Sequence, residues 1–173
     1  MKKSVLMAVI AIVTSTGINA QSYKWWAGGR TSFWVDDNCT SFSIAPEVGY
    51  HLTPNLTLAT SLAYHVIKMD NSDQPSPDIS GFIVNPYIRY SAFKSGILLG
   101  FIDGGIEFGL GDFEGFQIGF KPGIALLLTD RITAATQFGF IGYNDGNGIS
   151  GRTKGVGFDL SGYCTTIAFF YSF

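Results

Sequence analysis

The sequence predicts an all-β protein, an eight-stranded antiparallel up-and-down transmembrane β-barrel behind a cleaved leader. Three observations predict it. After residue 20, apolar residues recur at period 2 and not at 3.6, which marks strands. One face of that alternation is large and apolar, and the other is small, polar or charged. The connections alternate between tight turns and longer polar loops along an even number of strands, as in an up-and-down outer-membrane barrel.

Composition agrees. The chain has 173 residues, 46% of them hydrophobic and only 14% charged, where soluble domains carry about a quarter. It holds 22 Gly, 15 Phe and 8 Tyr but only 2 Cys, which excludes a disordered chain and a disulfide-stapled mini-protein. A pI near 5.5 and the lack of any Lys/Arg cluster argue against nucleic acid as a partner, because phosphate contacts need a basic patch.

Residues 1–20 read as a secretory signal peptide. Lys2 and Lys3 form the positive start, residues 5–13 (VLMAVIAIV) are a short apolar core, and residues 14–20 (TSTGINA) are a small, polar tail ending in Ala20. The apolar run is too short to span a bilayer as a helix. Gln21 stands where a lipoprotein would have Cys. The mature barrel domain is then 21–173. Removing Lys2 and Lys3 from the 11 basic residues leaves 9 against 13 acidic ones, a formal charge of −4.

Four strands show the alternation best. Phe42, Ile44, Pro46, Val48 and Tyr50 form the large face of one. Phe82, Val84, Pro86, Ile88 and Tyr90 form that of another. Phe116, Ile118, Phe120, Pro122, Ile124 and Leu126 belong to a third, and Ile167, Phe169, Tyr171 and Phe173 to the last. Segments near 24–34, 56–66, 96–109 and 132–143 complete eight strands of roughly ten residues, the length that crosses a bilayer at a tilt. Tight turns are expected at 53–55, 93–95 and 129–131, and polar loops at 35–40, 67–80, 111–115 and 144–155. Pro46, Pro86 and Pro122 recur once per hairpin. Proline inside a strand marks an edge or a bulge, so a repeated bulge is expected there.

The small face carries Ala45, Gly49, Ala59, Ala63, Gly119, Gly123, Ala125 and Ala168, with few large residues. An eight-stranded barrel is only wide enough inside for side chains to fill it. The small face therefore belongs inside and the apolar wall outside, where water cannot host it and a membrane can. A secreted soluble barrel of lipocalin type is the competing reading. Tyr50, Tyr90, Tyr171 and Phe173 at the short-turn end, and Phe42, Tyr64, Phe82 and Phe116 at the long-loop end, fit two aromatic girdles.

With those residues in hand, the chain resembles a known family. The terminal strand IAFFYSF, ending in Tyr171-Ser172-Phe173, looks like the C-terminal signal of Gram-negative outer-membrane proteins. Trp26-Ala27-Gly28-Gly29 and the PEVGY and LTDR hairpins resemble the small outer-membrane β-barrel domain family of the OmpX/OmpA-transmembrane-domain type, including its "porin family" members. The resemblance covers 21–173. It implies residence in the outer membrane of a Gram-negative bacterium. It also implies partnership with outer-membrane lipids, lipopolysaccharide, the outer-membrane assembly machinery and periplasmic chaperones, with Tyr171 and Phe173 as the assembly signal. It implies no shared catalytic residues.

The alternation places Arg30, Glu47, Arg89, Asp103, Glu107 and Lys121 inside, three charges of each sign. Such charges must pair at membrane depth, and Glu47 is expected to reach Arg89. They would line a channel or form an ion-pair plug, and eight strands favour the plug because no room remains for a water column. The expected role is structural or surface-interacting, against a narrow porin-like channel. A third reading, an outer-membrane lipid-modifying enzyme, would use inward His65 near the outer rim with Ser61 on the same face; polar filling is the simpler reading of both and of His51. No cofactor or metal is expected. The run 144–147 (NDGN) lacks the closing carboxylate of a calcium loop, and the glycines of 100–111 have no nucleotide-binding spacing. Cys39 in the first outward loop and Cys164 toward the outer rim of the last strand could pair in an oxidising compartment. Cys164 reads as inward, so a disulfide and two free thiols both stay open.

Overall fold

The computed structural model describes residues 23–35, 39–69, 78–145, 154–160 and 166–173. The leader and Cys164, and the side chain of Cys39, lie outside the described residues. Within them the chain is all-β, with strands β1 (Trp25–Val35), β2 (Cys39–His51), β3 (Leu56–Met69), β4 (Ile79–Ser95), β5 (Leu98–Gly111), β6 (Gly115–Leu127), β7 (Ile132–Gln137), β8 (Phe140–Asn144), β9 (Gly155–Asp159) and β10 (Thr166–Ser172). β7 and β8 are two halves of one stave, as are β9 and β10, so there are eight staves. Each pairs antiparallel with the next, and β10 closes on β1 from Trp26↔Ser172 to Gly29↔Phe169. The result is a closed, up-and-down barrel.

Period 2 determines what each face meets. On β3, Thr57, Ala59, Ser61 and Ala63 are buried while Leu58 and Leu62 are exposed. On β4, Asn85, Tyr87, Arg89 and Ser91 are buried while Ile88 is exposed. The same inversion runs around the wall, with Ile44, Val48, Ile102, Phe108, Ile118, Phe120, Ile141 and Phe169 all exposed. A soluble domain places these residue types the other way round.

Two tight turns share one chemistry. In the β2–β3 turn, Thr53 Oγ1 accepts from the Asn55 and Leu56 amides. In the β6–β7 turn, Thr129 Oγ1 accepts from the Arg131 and Ile132 amides. The backbone bonds match as well, Leu52 N–H to Leu56 O and Leu128 N–H to Ile132 O. A Leu-Thr-x-x-apolar segment thus builds each turn by a Thr side chain bonding the backbone ahead of it.

The third turn is not at 93–95. β4 continues through Ser95, with an irregularity between Ser91 and Phe93, and the chain reverses at Gly96-Ile97. Gly96 has φ +59° and Ile97 does not have a positive φ, so this is a two-residue hairpin with Gly first, of the II′ kind. The expected loop 111–115 is also shorter, since β5 reaches Gly111 and β6 begins at Gly115.

The prolines do not make a repeated bulge. Between β2 and β3 the ladder skips from Ile44↔Tyr64 to Glu47↔Ser61 and resumes in the same register. Between β4 and β5 it skips from Val84↔Phe108 to Tyr87↔Gly105, again unshifted. Pro46 and Pro86 each lack one N–H, and the missing bond faces the following strand without requiring an extra residue. Only Pro122 lies opposite a shift, where the extra residue belongs to the partner stave. β6 pairs Gly123↔Gln137 on one side and Phe120↔Ile141 on the other. Phe138 N–H bonds Pro122 O across the break, and Gly139 takes φ +86°.

Candidate functional site: the barrel lumen

The chemistry-bearing side chains converge inside the barrel, where alternate positions of neighbouring strands must share one narrow space. Three clusters fill it.

Toward the long-loop half, Glu107 on β5 is the hub. It accepts a hydrogen bond of 2.9 Å from Asn85 Nδ2 on β4 and further ones from Gln117 Nε2 and Lys121 Nζ on β6. Glu47 on β2 forms the second cluster. Arg30 Nη1 on β1 lies 3.3 Å from it and the Tyr87 hydroxyl on β4 donates to it. Asp103 on β5 forms the third. It takes both Nε (2.7 Å) and Nη2 (2.8 Å) of Arg89, and Gln137 Nε2 at 2.6 Å.

The six inward charges therefore form three pairs, one directly across its ladder and two diagonal, since Ala45 lies opposite Arg30 and Asp103 opposite Lys121. Arg89 lies directly across from Asp103 on the adjacent strand, so the expected Glu47–Arg89 contact is not the one made. Glu47 is two strands away from Arg89 and is taken by Arg30 and Tyr87. Buried charges are tolerable when each is paired and its remaining donors and acceptors are used, and Glu107 and Asp103 meet that condition with amide donors.

The lumen is not lined only by small residues. Trp26, Tyr87, Phe101, Phe140 and Phe170 are buried inside it, against the expectation of few large inward residues. Four of them box the Arg89 guanidinium. Its carbon lies 4.0 Å from the Phe101 ring centroid and 5.5–5.7 Å from Tyr87, Phe170 and Trp26. Trp26 and Phe170 also touch, at 4.4 Å between centroids. Glycine makes the room. Gly49 faces Trp26 and Gly123 faces Phe101 across their ladders, and a Cβ on either would overlap the ring opposite.

Between the Glu107 and Asp103 clusters remains a cavity of about 10 Å³, the lower limit for a single water. The described residues thus leave no water column through the middle of the barrel.

The histidines do not assemble a catalytic unit among the described residues. His51 Nδ1 is 2.8 Å from Thr57 Oγ1. His65 packs its ring 5.6 Å from Phe113, and Ser61 Oγ is buried without a hydrogen bond. Tyr171 and Phe173 point outward at the short-turn end and are exposed. Arg131, in the turn before β7, donates to the Tyr171 hydroxyl at 2.9 Å and the Tyr23 hydroxyl at 3.0 Å. These bonds raise its already high pKa and tie the start of β1 to the end of β10.

No protein-family model matches the chain, and no curated protein sequence matches it either.

Proposed function

We propose that this chain is a small integral outer-membrane β-barrel of a Gram-negative bacterium, plugged along its lumen and acting in a structural or surface-interaction role. The inverted cross-section carries the reading. Large apolar side chains cover the outside of the staves while charges and amides occupy the inside. These side chains are about half exposed, so each one kept in water forgoes roughly 1 kcal/mol of burial, about half the value for a whole side chain. Soluble monomers seldom expose a contiguous apolar patch beyond a few hundred Å², whereas a closed barrel with its ladders paired is suited to lipid.

The leader-like residues 1–20 supply the export route, and the resemblance to the OmpX/OmpA-transmembrane-domain type supplies the destination. Its partners are then outer-membrane lipids and lipopolysaccharide, with periplasmic chaperones and the outer-membrane assembly machinery acting on the terminal Tyr171 and Phe173. The three ion pairs and the ring-boxed Arg89 favour a plug over a narrow porin-like channel. His65 packs on Phe113, and Ser61 Oγ makes no hydrogen bond among the described residues, which favours polar filling over a catalytic pair.

Density-gradient fractionation of cells expressing the full chain tests the location. The account expects the protein in the outer-membrane fraction, migrating faster on gels when unheated than when boiled. Recovery in the soluble periplasmic fraction would overturn it in favour of a secreted barrel.

A further inference from the structure

We propose that the short-turn mouth of the lumen is a binding site for a small carboxylate bearing an apolar group. The mouth holds a cavity of about 60 Å³ bounded by the β2–β3 turn at Pro54 and by the ends of β4, β6 and β10. At roughly 30 Å³ per water in the liquid it has space for about two of them, enough for a carboxylate head group. Its inner end is closed by the Arg89–Asp103 pair, so a ligand enters from the short-turn side and does not pass through.

The chemistry of the walls is one-sided. Arg89, His51 and Lys94 line it, and no carboxylate does. Arg89 bonds Asp103 through Nε and Nη2, and its Nη1 makes no hydrogen bond among the described residues. His51 engages Thr57 through Nδ1, which leaves Nε2. Lys94 forms no ion pair among the described residues. Among the described residues, Arg30, Arg89 and Lys121 deeper in the lumen are each matched by an anion, whereas Lys94 at the mouth is not. Hydrogen-bond donors without acceptors call for an anion. The opposite wall is Trp26, Leu99 and Phe170, which suits an apolar substituent. Phosphate fits less well, since its additional oxygens would need donors where these three residues stand.

The test uses the mature chain refolded in detergent micelles and labelled with ¹⁵N. Acetate, N-acetylalanine and inorganic phosphate are titrated separately at constant ionic strength, with the Trp26 indole N–H as the reporter. The expected result is a saturable shift with acetate, tighter saturation with N-acetylalanine and weaker or no saturation with phosphate. Lys94 is exposed, so Lys94→Gln keeps the fold and should weaken carboxylate binding by about threefold to fivefold, the scale of one exposed charge contact. Shifts that stay linear with concentration, phosphate binding as tightly as acetate, or an unchanged affinity in Lys94→Gln would each overturn the assignment.

Discussion

Asp103→Ala is the sharpest perturbation of the plug. Asp103 is 3% exposed and accepts three hydrogen bonds, two from Arg89 and one from Gln137. Its removal leaves a buried guanidinium with no carboxylate. Breaking a buried pair from one side costs about 3–5 kcal/mol. The rings around Arg89 stay in place, and cation–π attraction at a desolvated site offsets about 1–2 kcal/mol of this. The net destabilisation is then about 1–4 kcal/mol. With a urea m-value of ~2 kcal/mol/M, the unfolding midpoint should fall by about 0.5–2 M, read by tryptophan fluorescence in detergent micelles. The double variant Arg89→Leu with Asp103→Leu removes both charges and should recover most of the loss, because an apolar replacement of a buried pair is often neutral or stabilising. An unchanged midpoint in Asp103→Ala would mean that water from the mouth cavity beside Arg89 replaces the lost carboxylate. A double variant as unstable as the single would mean that lost packing, and not the orphaned charge, set the cost.

Four further outcomes follow from the same geometry. Glu47→Ala should cost less than Asp103→Ala, about 1–3 kcal/mol, because the Arg30 side chain it abandons is 23% exposed and can reach water; urea melts of the two variants side by side check the order. Gly123→Ala drives a Cβ into the Phe101 ring and the Thr136 carbonyl and should destabilise by about 1–3 kcal/mol, with loss of near-UV circular dichroism from the inward rings. Gly96→Ala strains the positive φ of the β4–β5 hairpin and should cost about 1–2 kcal/mol, visible as a lower midpoint with unchanged m-value. Deletion of Phe173 should reduce outer-membrane insertion and raise periplasmic degradation; a normal amount of folded, heat-modifiable protein would count against the terminal residue as an assembly signal.

The strands were legible because a half-buried sheet enforces period 2 whichever face is buried, and the small inward face of β3 from Thr57 to Ala63 leaves no other assignment. The six inward charges were legible for the same reason. Their partners were not, because pairing depends on cross-strand register; Arg89 meets Asp103 through a β4–β5 alignment that sequence alone does not specify. Phe170 is legible as inward from its place between Phe169 and Tyr171, and alternation from Arg30 and Asp103 places Trp26 and Phe101 inside as well. That rings this large fit there is not legible without the register, which sets Gly49 opposite Trp26 and Gly123 opposite Phe101. The two-residue turn at Gly96-Ile97 was missed because Lys94 and Ser95 look like turn residues, whereas the positive φ belongs to the glycine after them.

Planar-bilayer recording of the refolded mature chain tests the plugged-barrel account most directly. With Arg30–Glu47, Arg89–Asp103 and Lys121–Glu107 paired and about 10 Å³ free between the Glu107 and Asp103 clusters, the account predicts protein that inserts, confirmed by protease protection, yet gives no discrete conductance steps. Stable, reproducible unitary conductance from the inserted protein would contradict it and establish a channel.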